Sequence, residues 1–290
     1  MSVSIDPVNI KALAFDLDGT LLAPGAVLTK RTVQSVRRCA VKGIQIIIAT
    51  GRAIESAEKY REALGASGPM VYYNGAIVAD MADSSACLDA PPRRKILHST
   101  LLDPGAVDFC IDLSRTTGVY FQAYFPGSSG EGQVLMAERD APEREAYFKS
   151  TEMLAELGPL KEILKGPGRN GFIKAMFLAE SPILDSLRPH LEERFGNSVY
   201  LARTKATYLE LMNAGVSKGE GLAIALKNRG IGREQTIAFG DEENDLPMFK
   251  AAAYSVAPDN AVNIVKAAAD FIVPSNSEDG IADFLEKLFS

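Results

Sequence analysis

Phe15-Asp16-Leu17-Asp18-Gly19-Thr20-Leu21-Leu22, preceded by the run 10–15 that only Lys11 interrupts, decides how the rest of the chain is read. Six mostly apolar residues that end in Asp-x-Asp-Gly predict a buried strand running into a loop. On an extended backbone, side chains two apart share a side, so Asp16 and Asp18 are expected to aim both carboxylates into one crevice beyond the strand. Two carboxylates so close repel unless one holds a proton or a cation lies between them, and an all-oxygen site suits Mg²⁺. Gly19 permits a turn forbidden to other residues, and the Thr20 hydroxyl is expected to steady the loop through nearby backbone groups.

Outward from this stretch the pattern is strand, helix, strand, helix. Residues 29–42 carry Val33, Val36, Ala40 and Val41 at helical spacing, with Thr29 as N-cap and Gly43 as stop. Residues 44–49 form a β-branched strand, 53–64 a helix ending at Gly65, and 70–73 a third strand. That rhythm predicts an α/β core with a mostly parallel sheet. Thr50-Gly51-Arg52 closes the second strand at the edge where such sheets collect ligands, so Thr50 could bind a phosphoryl oxygen while Gly51 lets backbone approach. Asn74-Gly75 falls on the same edge and reads equally as a tight turn or a contact to the site.

From about residue 83 the rhythm changes. Strands at 95–102, 119–124, 133–137, 172–178, 198–201 and 208–211, with helices at 103–117, 154–164 and 182–195, predict an inserted α+β module over 83–206. A Gly- and Ser-rich loop, 126–132, joins two of the strands. No charged constellation in the module points to catalysis. Lys218 then begins a helix over 218–227, where an ammonium opposes the helix dipole; either solvent or an anion holds it there. After the strand 236–239 comes Gly240-Asp241-Glu242-Glu243-Asn244-Asp245. Capping explains one of these acids but not the crowding, which a cation shared with Asp16 and Asp18 would relieve.

Composition excludes several classes. At 290 residues, 47% hydrophobic and 23% charged, the chain reads as two ordinary globular domains. A net charge of -6 argues against a nucleic-acid partner, and Arg93-Arg94-Lys95 reads as a solvated strand start. No apolar run is long enough to span a bilayer, and no targeting pattern opens the chain, so a cytoplasmic location is expected. Cys39, Cys87 and Cys110 lack zinc spacing and are expected to be reduced, mostly buried thiols. With only His98 and His190, acid–base work falls to carboxylates.

Four pieces in order, Asp16-x-Asp18-Gly-Thr, Thr50-Gly51-Arg52, Lys218 and Gly240-Asp241-x-x-Asn244-Asp245, closely resemble the Cof-type branch of the haloacid dehalogenase superfamily. Val216-Ser217-Lys218-Gly219 and the tail Asn276-x-Glu278-Asp279-Gly280-Ile281-Ala282 extend the likeness, whereas Ala257-Pro258-Asp259-Asn260-Ala261 departs from it. The resemblance implies a Rossmann-like three-layer core from 1–82 and 207–290, with 83–206 as a cap that sets specificity. It implies Asp16 as nucleophile and Asp18 as acid and base, with Leu17, Thr50, Gly51, Lys218 and Asn244 binding phosphate. Mg²⁺ would be held by Asp16, the Asp18 backbone carbonyl and Asp241, with Asp245 in support and Glu242 contributing. The implied activity is hydrolysis of a small phosphorylated metabolite through an aspartyl-phosphate, by a monomer or weak dimer with no nucleic-acid or membrane partner. A phosphomutase, or a non-catalytic sensor of a phosphometabolite, is the alternative. Tyr120, Tyr124, Arg169, Lys174 and Arg203 are the candidates for contacting the rest of the substrate.

Overall fold

The structure, a computed structural model, describes residues 5–81, 94–126 and 133–290. The chain divides into two compact units, Met1–His98 with Ser217–Ser290, and Ser99–Val216. In the first unit β1 (Ala12–Phe15) leads to α1 (Lys30–Val41), whose N-cap Thr29 accepts from the Thr32 N–H. β2 (Gln45–Ile48) and α2 (Ile54–Leu64) follow, and Gly65 ends the helix in the left-handed region. β3 (Gly68–Tyr72), β4 (Ile77–Met81) and β5 (Arg94–Ser99) form a three-stranded ladder in that order.

The second unit opens with α3 (Pro104–Thr117), β6 (Tyr120–Pro126) and β7 (Gln133–Ala137). It continues through α4 (Pro142–Thr151), β8 (Glu156–Leu157), α5 (Leu160–Ile163), β9 (Lys174–Leu178), α6 (Ser181–Phe195), β10 (Val199–Lys205) and β11 (Tyr208–Asn213). Its sheet order is β10-β11-β9-β6-β7-β8, antiparallel except where β7 meets β8. Alternation assigns the faces: Phe121, Ala123, Ala175, Phe177, Leu209 and Leu211 join one apolar cluster with Val107, Cys110 and Ile111 of α3 and Leu184, Leu187 and Leu191 of α6.

The chain returns through α7 (Lys218–Arg229), β12 (Thr236–Phe239), α8 (Leu246–Lys250), β13 (Tyr254–Pro258), α9 (Asn263–Ala268), β14 (Phe271–Val273) and α10 (Gly280–Leu288). The core sheet is wholly parallel, β14-β13-β12-β1-β2, and a parallel bridge from Ala49 to Val71 carries it on to β3. Its central strands are buried on both faces, which is why they read as continuous apolar runs. Small residues on one face, Ala12, Ala14, Ala49, Ala238 and Ala257, pack with Leu222, Ala225 and Met248 from α7 and α8. On the other, Phe15 stacks on Phe239 at 4.5 Å and Phe284 of α10 meets Phe239 edge-on at 5.9 Å. Helices on both faces of a parallel sheet make the three-layer α/β core expected above.

Three sequence expectations are corrected here. The module boundary at 206/207 moves to 216/217, because β11 spends its backbone hydrogen bonds on β9 and β10 of the second sheet. The strand expected over 95–102 instead belongs to the first unit's β3-β4-β5 ladder as far as His98. The helix expected over 154–164 is the two-residue β8 and the one-turn α5, while α4, with Tyr147 its only buried residue, has no apolar stripe to announce it. Cys39 and Cys110 are free and buried. Cys87, Arg93, the expected boundary at 82/83 and residues 127–132 lie outside the described residues.

Candidate active site

Asp16, Thr50 and Asp241 each follow the carboxyl end of a parallel strand, β1, β2 and β12, so one edge of the sheet gathers them. Asp16 still runs in register, its N–H donating to Phe239 O at 3.0 Å. The chain then turns at once, as the N–H groups of Thr20 and Leu22 both donate to Leu17 O, at 3.3 and 2.8 Å. The two-residue alternation therefore ends before Asp18. Asp16 is buried, but the Asp18 carboxylate is 56% exposed and accepts from Arg52 at both oxygens, Nε to Oδ2 at 2.7 Å and Nη2 to Oδ1 at 2.6 Å. The expectation of one crevice for both carboxylates is corrected by that turn.

Buried negative charge gathers elsewhere. Lys218 Nζ lies 2.9 Å from Asp16 Oδ1 and 2.6 Å from Asp245 Oδ1. Asp245 Oδ2 accepts from the N–H groups of Asp241 and Glu242 at 2.9 and 3.1 Å, which fixes the turn after β12. Thr20, expected to hold backbone, donates its hydroxyl to Asp241 Oδ1 at 2.5 Å instead. Gly19 has φ +80, and a Cβ there would fall 2.0 Å from Asp241 Oδ2, so that loop position admits only glycine. Oxygens of Asp16, Asp241 and Asp245 all lie within 4.8 Å of one another. Glu242 is exposed and stands outside this cluster.

The electrostatics of the cluster are unbalanced. Burial works against the Lys218 ammonium, but Asp16 and Asp245 outweigh it and hold the lysine charged well above its ordinary range. An anion therefore explains this lysine, not solvent. Burial raises Asp16 well above the usual carboxylate value; Lys218 pulls it down, while Asp245 and Asp241 push it up. Asp241 is pushed up to about 7, chiefly by burial, against the Thr20 hydrogen bond. One ammonium cannot compensate three carboxylates, and a site of hard oxygen donors with that excess fits a divalent cation of the Mg²⁺ kind.

The expected phosphate contacts sit beside it. Thr50 is fully buried and its Oγ1 accepts from the Arg52 N–H at 3.1 Å, leaving the hydroxyl hydrogen to donate. Asn74 N–H donates to Thr50 O at 3.0 Å, and Asn244 Nδ2 donates to Asn74 Oδ1 at 3.0 Å. Asn244 Oδ1 is buried without a partner. The Leu17 side chain is wholly buried in the core, so only its backbone can serve a ligand. Sequence reasoning gave no role to Arg52 or to two amides that pin the nucleophile loop: Asn260 Nδ2 donates to Gly19 O at 2.8 Å and Asn276 Nδ2 to Leu22 O at 2.7 Å. Both lie in the stretches that carry or depart from the family likeness; nothing local in the sequence says what their amides reach.

Residues 13–285 match the model of a protein family described as haloacid dehalogenase-like hydrolase. The chain belongs to that family. It is 28% identical over 280 residues to a 5-amino-6-(5-phospho-D-ribitylamino)uracil phosphatase of Bacillus subtilis, covering 96% of this chain and 97% of the relative. It is 27% identical over 283 residues to a pyridoxal phosphate phosphatase of Escherichia coli, covering 96% and 98%. A crystal structure of a haloacid dehalogenase-like hydrolase from Bacteroides thetaiotaomicron superposes with a TM-score of 0.82 at 25% identity, over 97% of this chain and 100% of that one. By these matches the chain is an enzyme, a phosphatase of the haloacid dehalogenase-like family. Among the described residues, no helix is long and apolar enough to cross a membrane.

Proposed function

We propose that this chain is a Mg²⁺-dependent phosphatase that hydrolyses a small phosphorylated metabolite in the cytoplasm through an aspartyl-phosphate. The observation that carries the reading is the buried cluster of Asp16, Asp241 and Asp245 around Lys218 at the carboxyl edge of the parallel sheet. The relatives named above act on a phosphorylated ribitylaminouracil and on pyridoxal phosphate, both small esters, which supports a metabolite as substrate. The two described cysteines are free, in keeping with a reducing compartment.

In this reading Asp16 is the nucleophile: its carboxylate oxygen forms a bond to phosphorus as the bond to the ester oxygen breaks. Asp18 gives the departing alkoxide a proton, then takes one from the water that attacks the aspartyl-phosphate, restoring the Asp16 carboxylate and releasing inorganic phosphate. A carboxylate accepting at both oxygens from a guanidinium has no proton to give, so before the first step the Arg52–Asp18 pair opens and Asp18 takes up a proton from solvent. Lys218, the Thr50 hydroxyl, the Gly51 backbone and Asn244 hold the equatorial oxygens, where charge is greatest during transfer. Asp16, Asp241 and the Asp18 carbonyl would ligate Mg²⁺; Asp245, already accepting from Lys218 and two backbone N–H groups, props the set. Glu242 is assigned no ligand role, since its side chain is exposed and is not among the grouped carboxylates. When bound, the cation neutralises the phosphoryl charge and keeps Asp16 ionised. Residues 99–216 form the unit we assign to specificity, since no catalytic group is placed there.

The test is phosphate release from p-nitrophenyl phosphate and a panel of sugar and cofactor phosphates, with Mg²⁺ and with EDTA. Metal-dependent release is expected; none from any ester in either condition would overturn the reading.

A further inference from the structure

We propose that Asn74 is a positioning residue that fixes the Asn244 amide toward the phosphoryl group; this rests on the phosphatase reading above. Tyr73, Asn74 and Gly75 take φ of 51, 56 and 103 in succession. Two consecutive non-glycine residues in the left-handed region are costly, and a bulky tyrosine most of all. Such a conformation persists only where its surroundings hold it. Here Tyr73 N–H donates to Arg52 O at 3.1 Å and Asn74 N–H to Thr50 O at 3.0 Å. Gly75 lies so close to Ser217 that a Cβ would fall 2.1 Å from its carbonyl oxygen, so this short segment is clamped between the Thr50 turn and the start of α7.

What the strain delivers is the placement of one side chain. Asn74 is 5% exposed, and its Oδ1 accepts from Asn244 Nδ2 at 3.0 Å. The same oxygen lies 3.0 Å from where a Cβ on Gly51 would stand, so Asn74 fills the space beside the phosphate turn. Asn74 thus ties the loop after β2 to the turn after β12, on either side of the strand that carries Asp16. A side-chain amide has two hydrogens. With one held by Asn74, the rotation of the Asn244 amide is set and the other hydrogen has a defined direction. An asparagine chosen merely to tolerate positive φ would need no such partner.

Asn74→Gly separates the two accounts, because glycine adopts φ 56 freely while removing the acceptor. The expected result is a folded protein whose kcat on p-nitrophenyl phosphate falls about 10- to 100-fold with a smaller change in KM. The double variant with Asn244→Ala should be no slower than Asn244→Ala alone. Parent-like turnover in N74G, or losses that multiply in the double variant, would overturn the proposal. A second readout needs no turnover: in ¹⁵N-labelled protein the Asn244 side-chain amide resonances should move in N74G and stay near their parent positions in N74D, which keeps an oxygen acceptor. Resonances unmoved in N74G, or moved equally in N74D, sink the positioning role. If the parent cleaves no phosphate ester, the phosphatase reading fails, and the resonances alone still decide Asn74.

Discussion

Among the described residues two lysines are buried, one in each unit, and their surroundings differ in a way that separates architecture from chemistry. Lys174 on β9 pairs with Glu210 on β11 at 3.0 Å, Thr204 donates its hydroxyl to the same Glu210 oxygen at 3.0 Å, and the Tyr124 ring lies 5.2 Å from the ammonium. Burial works against that charge, and Glu210 with Tyr147 more than offsets it. Among the described residues, the carboxylate that meets this cation is Glu210. Lys218 meets Asp16 and Asp245 directly, with Asp241 in the same cluster, so the group carries an excess of negative charge that the protein does not itself neutralise. A balanced buried pair is complete as folded; an overcharged one is built for something that arrives.

The sharpest way to break this contrast is Asp16→Asn. We predict that turnover falls about 10⁴-fold or more, as for loss of a nucleophile. Stability should not fall with it: the variant, measured in EDTA, should melt at or above the parent temperature, because one of the surplus charges has gone. A variant that melts well below the parent would mean that the three carboxylates are a structural set, and the comparison would collapse. Glu210→Gln should behave in the opposite sense, costing about 3–5 kcal/mol in urea unfolding because it leaves a buried ammonium without its carboxylate. Lys174→Met together with Glu210→Leu should recover most of that loss, and the recovered protein should keep its metal requirement.

How much of this was legible beforehand depends on which interactions are local. The strands β1, β2 and β12 stood out because strands buried on both faces are uninterrupted apolar runs, and the polar residues just after them mark the sheet edge. Alternation misplaces Asp18 because it holds only while the backbone stays extended, and the turn closed by Thr20 and Leu22 on Leu17 begins one residue sooner. Lys218 could be read either way: nothing within its own helix says that Asp16, 202 residues earlier, lies 2.9 Å away. Asn260 and Asn276 were invisible as anchors for the same reason. In the second unit the strand 208–211 reads as part of the module, but nothing local in the sequence carries the boundary past 206; the pairing of β11 with β9 and β10 does.

A smaller effect tests the acid and base assigned to Asp18. In Asp18→Asn, alkyl phosphates, whose leaving oxygen needs a proton, should be cleaved about 100-fold more slowly or worse. p-Nitrophenolate departs without one, so the first turnover should survive and the aspartyl-phosphate should then accumulate. Rapid mixing should show a burst of nitrophenolate equal to the enzyme concentration, followed by a slow phase. Equal losses on both ester types with no burst would take Asp18 out of proton transfer and leave it a structural partner of Arg52.

The weakest expected effect belongs to the exposed edge of the first unit, where charge is neither buried nor in excess. Glu286 on α10 accepts from Arg31 and Ser35 at 2.7 Å and from Arg38 at 2.9 Å, so this carboxylate ties three side chains of α1 to α10, beside the Arg31–Asp283 ion pair. The Arg31 hydrogen bond first, and that from Ser35 next, lower its pKa from 4.5 to about 2. A carboxyl whose folded pKa lies below its unfolded one contributes stability that is whole above the unfolded value and is lost as pH falls through the folded one. The contribution should therefore be constant from neutral pH down to about 4.5 and fade between there and about 2. Solvent screens these partners, so the effect is small and salt-dependent. Urea midpoints of the parent and of Glu286→Gln should differ slightly at pH 7, converge as the pH is lowered toward 2, and lie closer together at pH 7 in 1 M salt than in dilute buffer. A gap that instead widened on acidification would mean that the carboxyl is favoured in its protonated form by the fold, and that this lattice of cations does not hold α10 to α1.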